Sequence, residues 1–155
     1  MSVSDARRQV VTFSLGDELF AADVAEVERV LVYAAPRPVP ELPRWVAGMV
    51  EYGGSSLPVI DLRARFELPP ADAAAERRIL VLGAGGSRVG VVVDRVHDVT
   101  AVPAGSWDEP PALFRGLASD YLHGVVRREG RLVMVLNAAR LLAATERLVL
   151  ERGGD

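Results

Sequence analysis

The sequence contains no cysteine and no lysine, since all 18 of its basic residues are arginine. The absence of cysteine excludes disulfide bonds, thiolate metal ligands and a cysteine nucleophile, and it suits a reducing compartment. The absence of lysine excludes a Schiff-base lysine and the lysine of a phosphate-binding loop. Several large classes of enzyme are therefore removed before any motif is considered.

Long apolar runs are also missing, because stretches such as residues 89–93 fall far short of the roughly 20 residues that span a bilayer. Residues 1–9 are polar, lack the apolar core of a signal peptide and are predicted to be a flexible N-terminus. The net charge is −3, and the three arginine doublets, at residues 7–8, 77–78 and 127–128, are isolated and form no basic stripe, which argues against nucleic acid as a partner. We expect a cytoplasmic protein without direct membrane insertion.

Catalytic and metal-binding patterns are scarce. The two histidines, His97 and His123, do not belong to a metal-ligand spacing, and no GxSxG nucleophile motif is present. The glycine-rich residues 83–86 lie between two predicted strands, whereas a phosphate-binding loop opens a helix. This segment is therefore interpreted as a hairpin turn. We predict no catalytic residue, no metal and no cofactor.

Short β-branched and apolar runs bounded by turn residues predict two sets of five strands. The predicted strands are residues 10–15, 19–23, 27–31, 48–52 and 56–60, then 79–82, 88–93, 96–102, 124–128 and 131–136. A short helix over 62–68 follows the first set, with Asp61 as its cap, and a longer helix over 138–151 follows the second, with Asn137 as its cap. The chain is therefore predicted to be all-β with a C-terminal helix.

The two sets of strands resemble each other. Residues 45–50 align with 121–126, Gly54 aligns with Gly130, and residues 57–61 align with 133–137. Further upstream, Val24, Val27 and Val30 correspond to Val93, Val96 and Val99, and residues 13–16 resemble 80–83. Such a repeat indicates a duplicated unit, with pseudo-repeats at about 10–70 and 77–150 and a tail at 151–155.

Five short strands per repeat predict a small closed or nearly closed barrel. Because a barrel of about 60 residues buries little surface alone, the two five-stranded β-barrels should pack together as one domain over residues 10–150 and are free to exchange strands.

The order of these segments resembles the CheW-like domain of bacterial chemosensory systems over residues 10–150. The matching segments are Phe13–Glu18, the valines of Val24-x-x-Val27-x-x-Val30, Trp45-Val46-x-Gly48, Leu57–Arg63, Val89–Val96 and Tyr121-Leu122-x-Gly124. The resemblance implies two SH3-like barrels without catalytic activity. It also implies an adaptor, or scaffold, that couples chemoreceptors to a CheA-type histidine kinase.

The resemblance further implies where partners bind. The cytoplasmic hairpin tip of a receptor would lie in the groove between the barrels, at Val24, Val27, Arg29, Gly53, Ile79, Leu80 and Val81. The apolar members of this set fit equally well in a barrel core, and both interpretations stay open. The regulatory domain of the kinase, or other CheW copies, would contact Leu62, Leu113 and Phe114.

Two positions depart from the family pattern. The family reads close to Asn-Leu-Arg-Gly where this chain has Glu51-Tyr52-Gly53-Gly54, and Arg29 stands where many members carry an acidic residue. Both departures change charge at predicted partner surfaces, so we predict a specialised paralogue.

Two alternatives to a free-standing adaptor are a detached CheA- or CheV-like regulatory module and a ligand-binding double barrel outside chemotaxis. The chain begins with Met1 and has no kinase ATP-site motif and no receiver domain, which favours the adaptor. The ligand-binding alternative requires a cluster of convergent polar groups, which the sequence does not offer.

Overall fold

The computed structural model describes residues 7–71, 76–104, 107–110 and 120–153. All of the predicted strands and both predicted helices form. The elements are β1 (Arg7–Leu15), β2 (Glu18–Asp23), β3 (Val27–Val32), β4 (Val46–Tyr52), β5 (Ser55–Asp61), α1 (Leu62–Arg65), β6 (Arg78–Ala84), β7 (Ser87–Val93), β8 (Arg95–Pro103), β9 (Leu122–Arg128), β10 (Arg131–Leu136) and α2 (Ala138–Gly153). A 3-10 helix, Val24–Glu26, precedes β3.

The strands form two five-stranded sheets that each draw on both halves of the chain. The first sheet has the order β8-β1-β2-β10-β9, and the second has the order β3-β6-β7-β5-β4. Parallel pairing of β2 with β10 and of β5 with β7 joins the halves, while the other neighbours are antiparallel. Within the described residues the pairing does not close either sheet, so the fold is two SH3-like sheets rather than fully closed barrels.

Aligned positions in the two halves make the same backbone contacts. The Asp61 amide donates to the Trp45 carbonyl, and the Asn137 amide donates to the Tyr121 carbonyl, each at 2.7 Å. The side chains of Asp61 and Asn137 each accept a hydrogen bond from the backbone amide three residues further along the chain, at 3.2 Å. Both helices therefore begin with the same capping arrangement.

The upstream part of the repeat differs from the sequence alignment by two residues. Val96 pairs with Phe13, and its counterpart Val27 pairs with Leu82. The match of residues 13–16 with 80–83 is therefore wrong, and Phe13 corresponds to Leu82. The error arises because strand side chains alternate with a period of two, so a shift of two residues preserves the apolar pattern.

The core has three parts. The largest cluster lies between the sheets and contains Phe13, Phe20 and Phe66, whose rings stack with centroids 5.7 and 5.4 Å apart. Each sheet also packs a smaller cluster on its other face, around Val133 in the first sheet and Val59 in the second. Both faces of the inner strands are therefore buried.

The ends of the elements differ modestly from the prediction. The strand β1 begins at Arg7 because residues 7–9 pair with 101–103 of β8, although the sequence predicted a flexible stretch up to residue 9. The helix α1 is only four residues long, since Glu67 adopts a left-handed conformation with φ of 57°. Among the described residues, no helix combines the length and apolar character that crossing a bilayer requires.

Candidate partner-binding clefts

The fold creates two clefts at equivalent positions of the repeat. The larger cleft, of about 800 Å³, lies between the turn after β1 and the start of β8, and it extends to Val30 of β3 and Arg78 of β6. The smaller cleft, of about 360 Å³, lies between the turn after β6 and the start of β3. Only the larger cleft is lined by both sheets.

One wall of the larger cleft is fixed by Asp94, which joins β7 to β8. The Oδ2 atom of Asp94 accepts hydrogen bonds from the Gly16 amide and from Nη2 of Arg63, each at 2.6 Å. The side chains of Arg63 and Asp94 are only 15% and 23% exposed, so this ion pair is shielded from solvent. Gly16 has a φ of 59°, which suits glycine in a tight turn. The network ties the β1–β2 turn, α1 and β8 together.

The larger cleft offers an apolar surface beside three arginines. Val30 is 43% exposed, and Val96 lies half-buried on the opposite side. Arg78, Arg95 and Arg131 also line the cleft. Arg131 donates to the Asp17 carbonyl and Arg78 to the Arg77 carbonyl, each at 3.0 Å. Within the described part of the chain, none of these three arginines belongs to an ion pair.

The smaller cleft, in contrast, satisfies its polar groups internally. The carboxylate of Glu28 accepts from the Tyr52 hydroxyl at 2.8 Å and from Nε of Arg88 at 2.9 Å. The hydrogen bond from Tyr52, followed by that from Arg88, lowers the pKa of Glu28, and the same carboxylate raises the pKa of Tyr52. Ser87 donates its hydroxyl to Glu146 of α2 at 2.6 Å. Because Glu28 lies in β3 and Tyr52 in β4, their bond also joins the two edge strands of the second sheet.

Three residues predicted to line the receptor groove lie in the core instead. Ile79, Leu80 and Val81 are at most 1% exposed, so their side chains cannot contact a partner in this conformation. They belong to β6, which lies between β3 and β7. Leu80 therefore faces the cluster between the sheets, while Ile79 and Val81 face the smaller cluster of the second sheet.

The other groove residues are accessible to different degrees. Val24 is 37% exposed in the 3-10 helix, Arg29 is exposed on β3, and Gly53 is exposed in the turn between β4 and β5. Val27 is half-buried and lines the smaller cleft. The structure does not place these four residues in the larger cleft, and their contact with a receptor stays a prediction.

One of the three predicted kinase contacts, Leu62, is also buried. Leu62 is fully buried in the cluster between the sheets, because it starts α1 directly beneath the Asp61 cap. It is therefore a core residue rather than an interface residue. Leu113 and Phe114 lie outside the described residues, so their predicted role is untested.

The residues of the larger cleft that the sequence analysis missed are its three arginines, Val30 and Val96. The repeat had already singled out both valines as equivalent to Val99 and Val27. Their side chains alone do not reveal a cleft, since it arises only where the two sheets meet. Among the described residues, no group of three or more acidic or histidine side chains could hold a metal ion.

Comparison with known proteins shows which family the chain resembles. The family model of the CheW-like domain matches residues 9–146. The chain belongs to the CheW-like domain family. A chemotaxis protein CheW from Treponema pallidum is 32% identical over 150 residues, covering 94% of this chain and 88% of the relative. A probable chemotaxis protein CheW from Rhizobium etli is 26% identical and covers 94% of each chain.

A solved structure carries the same fold. The scaffolding protein CheW of Thermoanaerobacter tengcongensis superimposes with a TM-score of 0.73 at 26% identity, covering 84% of this chain and 89% of the other. The match therefore includes both SH3-like sheets of the CheW-like domain.

Proposed function

We propose that this CheW-like chain is a non-catalytic scaffold that couples chemoreceptors to a CheA-type histidine kinase in a bacterial chemosensory array. The observation that carries the proposal is the larger cleft, which combines exposed Val30 with both sheets of a scaffold-family fold. A cleft of this form suits a helical segment of a partner better than a small ligand, because it is open and has a polar rim.

The scaffold acts by holding two partners at different surfaces. The receptor's cytoplasmic hairpin tip occupies the cleft between the sheets, while the regulatory domain of the kinase, or another CheW copy, binds another face. The fixed wall formed by Asp94, Arg63 and Gly16 keeps the cleft preorganised, which lowers the entropic cost of binding. The protein works in the cytoplasm, at membrane-associated or cytosolic chemoreceptor arrays.

The chain is a specialised member of its family. Gly53 lies in an exposed turn with a φ of 57°, a left-handed conformation that favours glycine, although no atom lies within 4 Å of where its Cβ would be. An arginine side chain would therefore find space there but would strain the turn. Arg29 is exposed on β3, where it is free to meet a partner. Both positions alter partner choice.

The proposal is tested by binding of the purified chain to receptor cytoplasmic fragments and, separately, to the kinase regulatory domain from the same organism. We expect both partners to be retained at micromolar concentration. Retention of neither partner would contradict the coupling function. In parallel, the variants Gly53→Arg and Arg29→Glu should change the preference among partners. Arg29→Glu should leave the melting temperature nearly unchanged, whereas Gly53→Arg should lower it modestly because of the positive φ at this position.

A further inference from the structure

We propose that the larger cleft binds a segment carrying carboxylates beside a small apolar side chain, and that the smaller cleft does not bind it. The inference rests on the proposed function, since the segment would belong to the receptor hairpin tip. It adds the chemistry of the partner and a stoichiometry of one segment per chain.

The first argument is a difference in charge between the two clefts. Val96 of the larger cleft corresponds to Val27 of the smaller one. The neighbouring residues Arg95 and His97 then correspond to Glu26 and Glu28. Duplication has therefore given two clefts with related backbones but different charge, and a charged segment must discriminate between them.

The second argument is the state of the charges in the larger cleft. Asp94 already has Arg63 as its partner, while Arg78, Arg95 and Arg131 have no carboxylate partner among the described residues. These three guanidinium groups outnumber the two remaining carboxylates of the cleft, Asp17 and Glu76. Since the whole chain carries a net charge of −3, this local excess of positive charge is not a general property of its surface.

The third argument is the apolar contact available between these charges. Val30 is 43% exposed and faces the cleft. The β-branched side chain is stiff and presents a small convex surface. A small apolar residue of the partner would cover it, while flanking carboxylates would reach the arginine rim. Arginine favours such contacts because its planar guanidinium group can bind a carboxylate through two hydrogen bonds.

The smaller cleft lacks these features. Arg88 forms an ion pair with Glu28, which also accepts a hydrogen bond from the Tyr52 hydroxyl. Ser87 donates a hydrogen bond to Glu146. An incoming carboxylate would meet Glu26 and Glu28 and would have to displace an existing ion pair. Repulsion therefore excludes the acidic segment from this cleft.

The test is isothermal titration calorimetry of the full chain with a receptor cytoplasmic hairpin fragment, at two salt concentrations. We expect one fragment-binding site per chain and weaker binding at higher salt. Arg95→Ala and Arg131→Ala should each raise the Kd about three- to tenfold, and Arg95→Glu should raise it further. Arg127→Ala, an exposed arginine on β9 outside both clefts, is the matched control and should leave the Kd unchanged.

A second arm uses the fragment with the Asp and Glu residues of its tip replaced by Asn and Gln. We expect this fragment to bind the wild-type chain more weakly than the wild-type fragment binds Arg95→Ala, because it loses its contacts with all three arginines. If the wild-type fragment binds the chain but all arginine variants keep its affinity, the charge proposal is overturned and the coupling function stands. If the wild-type fragment does not bind the wild-type chain at all, the proposed coupling function is wrong, and the charge proposal, which depends on it, is wrong as well.

Discussion

Replacing Asp94 should cost more stability than replacing any other charged residue that lines the clefts. The substitution Asp94→Ala removes the acceptor of the Gly16 amide and of Arg63, each held at 2.6 Å, and leaves a mostly buried guanidinium without its carboxylate. Hydrogen bonds to charged groups contribute about 1.5–3 kcal/mol each, while partial exposure screens the ion pair. We therefore expect the free energy of unfolding to fall by about 2 kcal/mol, which corresponds to a drop in melting temperature of about 4–8 °C for a chain of this length.

The measurement is urea unfolding of the wild type, Asp94→Ala, Arg63→Ala and the double variant. Since the two side chains interact directly, the losses should be less than additive. The comparison pair is Arg88 with Glu28, whose side chains are 53% and 35% exposed, and Arg88→Ala should cost clearly less. Additive losses, or an Asp94→Ala variant as stable as Arg88→Ala, would refute the role assigned to this network.

Three further predictions concern the core, the turns and the smaller cleft. Leu80→Ala should lower the free energy of unfolding by about 2–5 kcal/mol in a denaturant titration, because Leu80 is fully buried. A variant as stable as the wild type that binds the receptor more weakly would show instead that Leu80 is an interface residue. Gly48→Ala should be more destabilising than Gly53→Ala in a thermal melt, since a Cβ at Gly48 would overlap the Arg37 carbonyl whereas Gly53 faces open space; equal melting temperatures would contradict this packing. Tyr52→Phe should raise the pKa of Glu28 towards its ordinary value in an NMR titration of the carboxyl group. Because the folded-state pKa of Glu28 is lowered, its stabilising contribution is present above the unfolded pKa and disappears as the pH falls below about 4. An unchanged Glu28 titration would mean that the Tyr52 hydrogen bond is absent in solution.

The strands were predictable because the local signal is strong. Apolar and β-branched runs, turn glycines and capping residues such as Asp61 and Asn137 act over a few residues, and the structure has every predicted strand within three residues of its expected ends. The division of strands between the two sheets depends instead on contacts distant in sequence. The parallel pairs of β2 with β10 and β5 with β7 have no local signature.

The candidate site was harder to predict because an apolar side chain looks the same in a core and in a docking surface. Leu80 and Val30 are paired across β3 and β6, yet one is fully buried and the other is 43% exposed. Exposure at Val30 follows from its position on an edge strand beside the gap between the sheets. The arginines of the larger cleft converge from β6, β8 and β10, so their proximity required the tertiary fold.

Gly53 and Arg29, the two residues that differ from the family pattern, both lie in the second sheet or its turns. Gly53 follows Tyr52, whose hydroxyl holds Glu28, and Arg29 follows Glu28 on β3. Both departures therefore lie next in sequence to the hydrogen-bonded pair Glu28 and Tyr52, whereas the proposed acidic segment binds the larger cleft. Partner specificity of this CheW-like protein would then be set at two separate surfaces.

The central claim is that the chain physically couples receptor and kinase, and co-sedimentation of receptor-containing membranes tests it most directly. The cognate CheA-type kinase is incubated with the membranes in the presence and absence of the chain. The account predicts that the kinase enters the pellet in quantity only when the chain is present, and less so with the Arg95→Glu variant. Equal amounts of pelleted kinase with and without the chain, or a pellet that contains no chain, would contradict it.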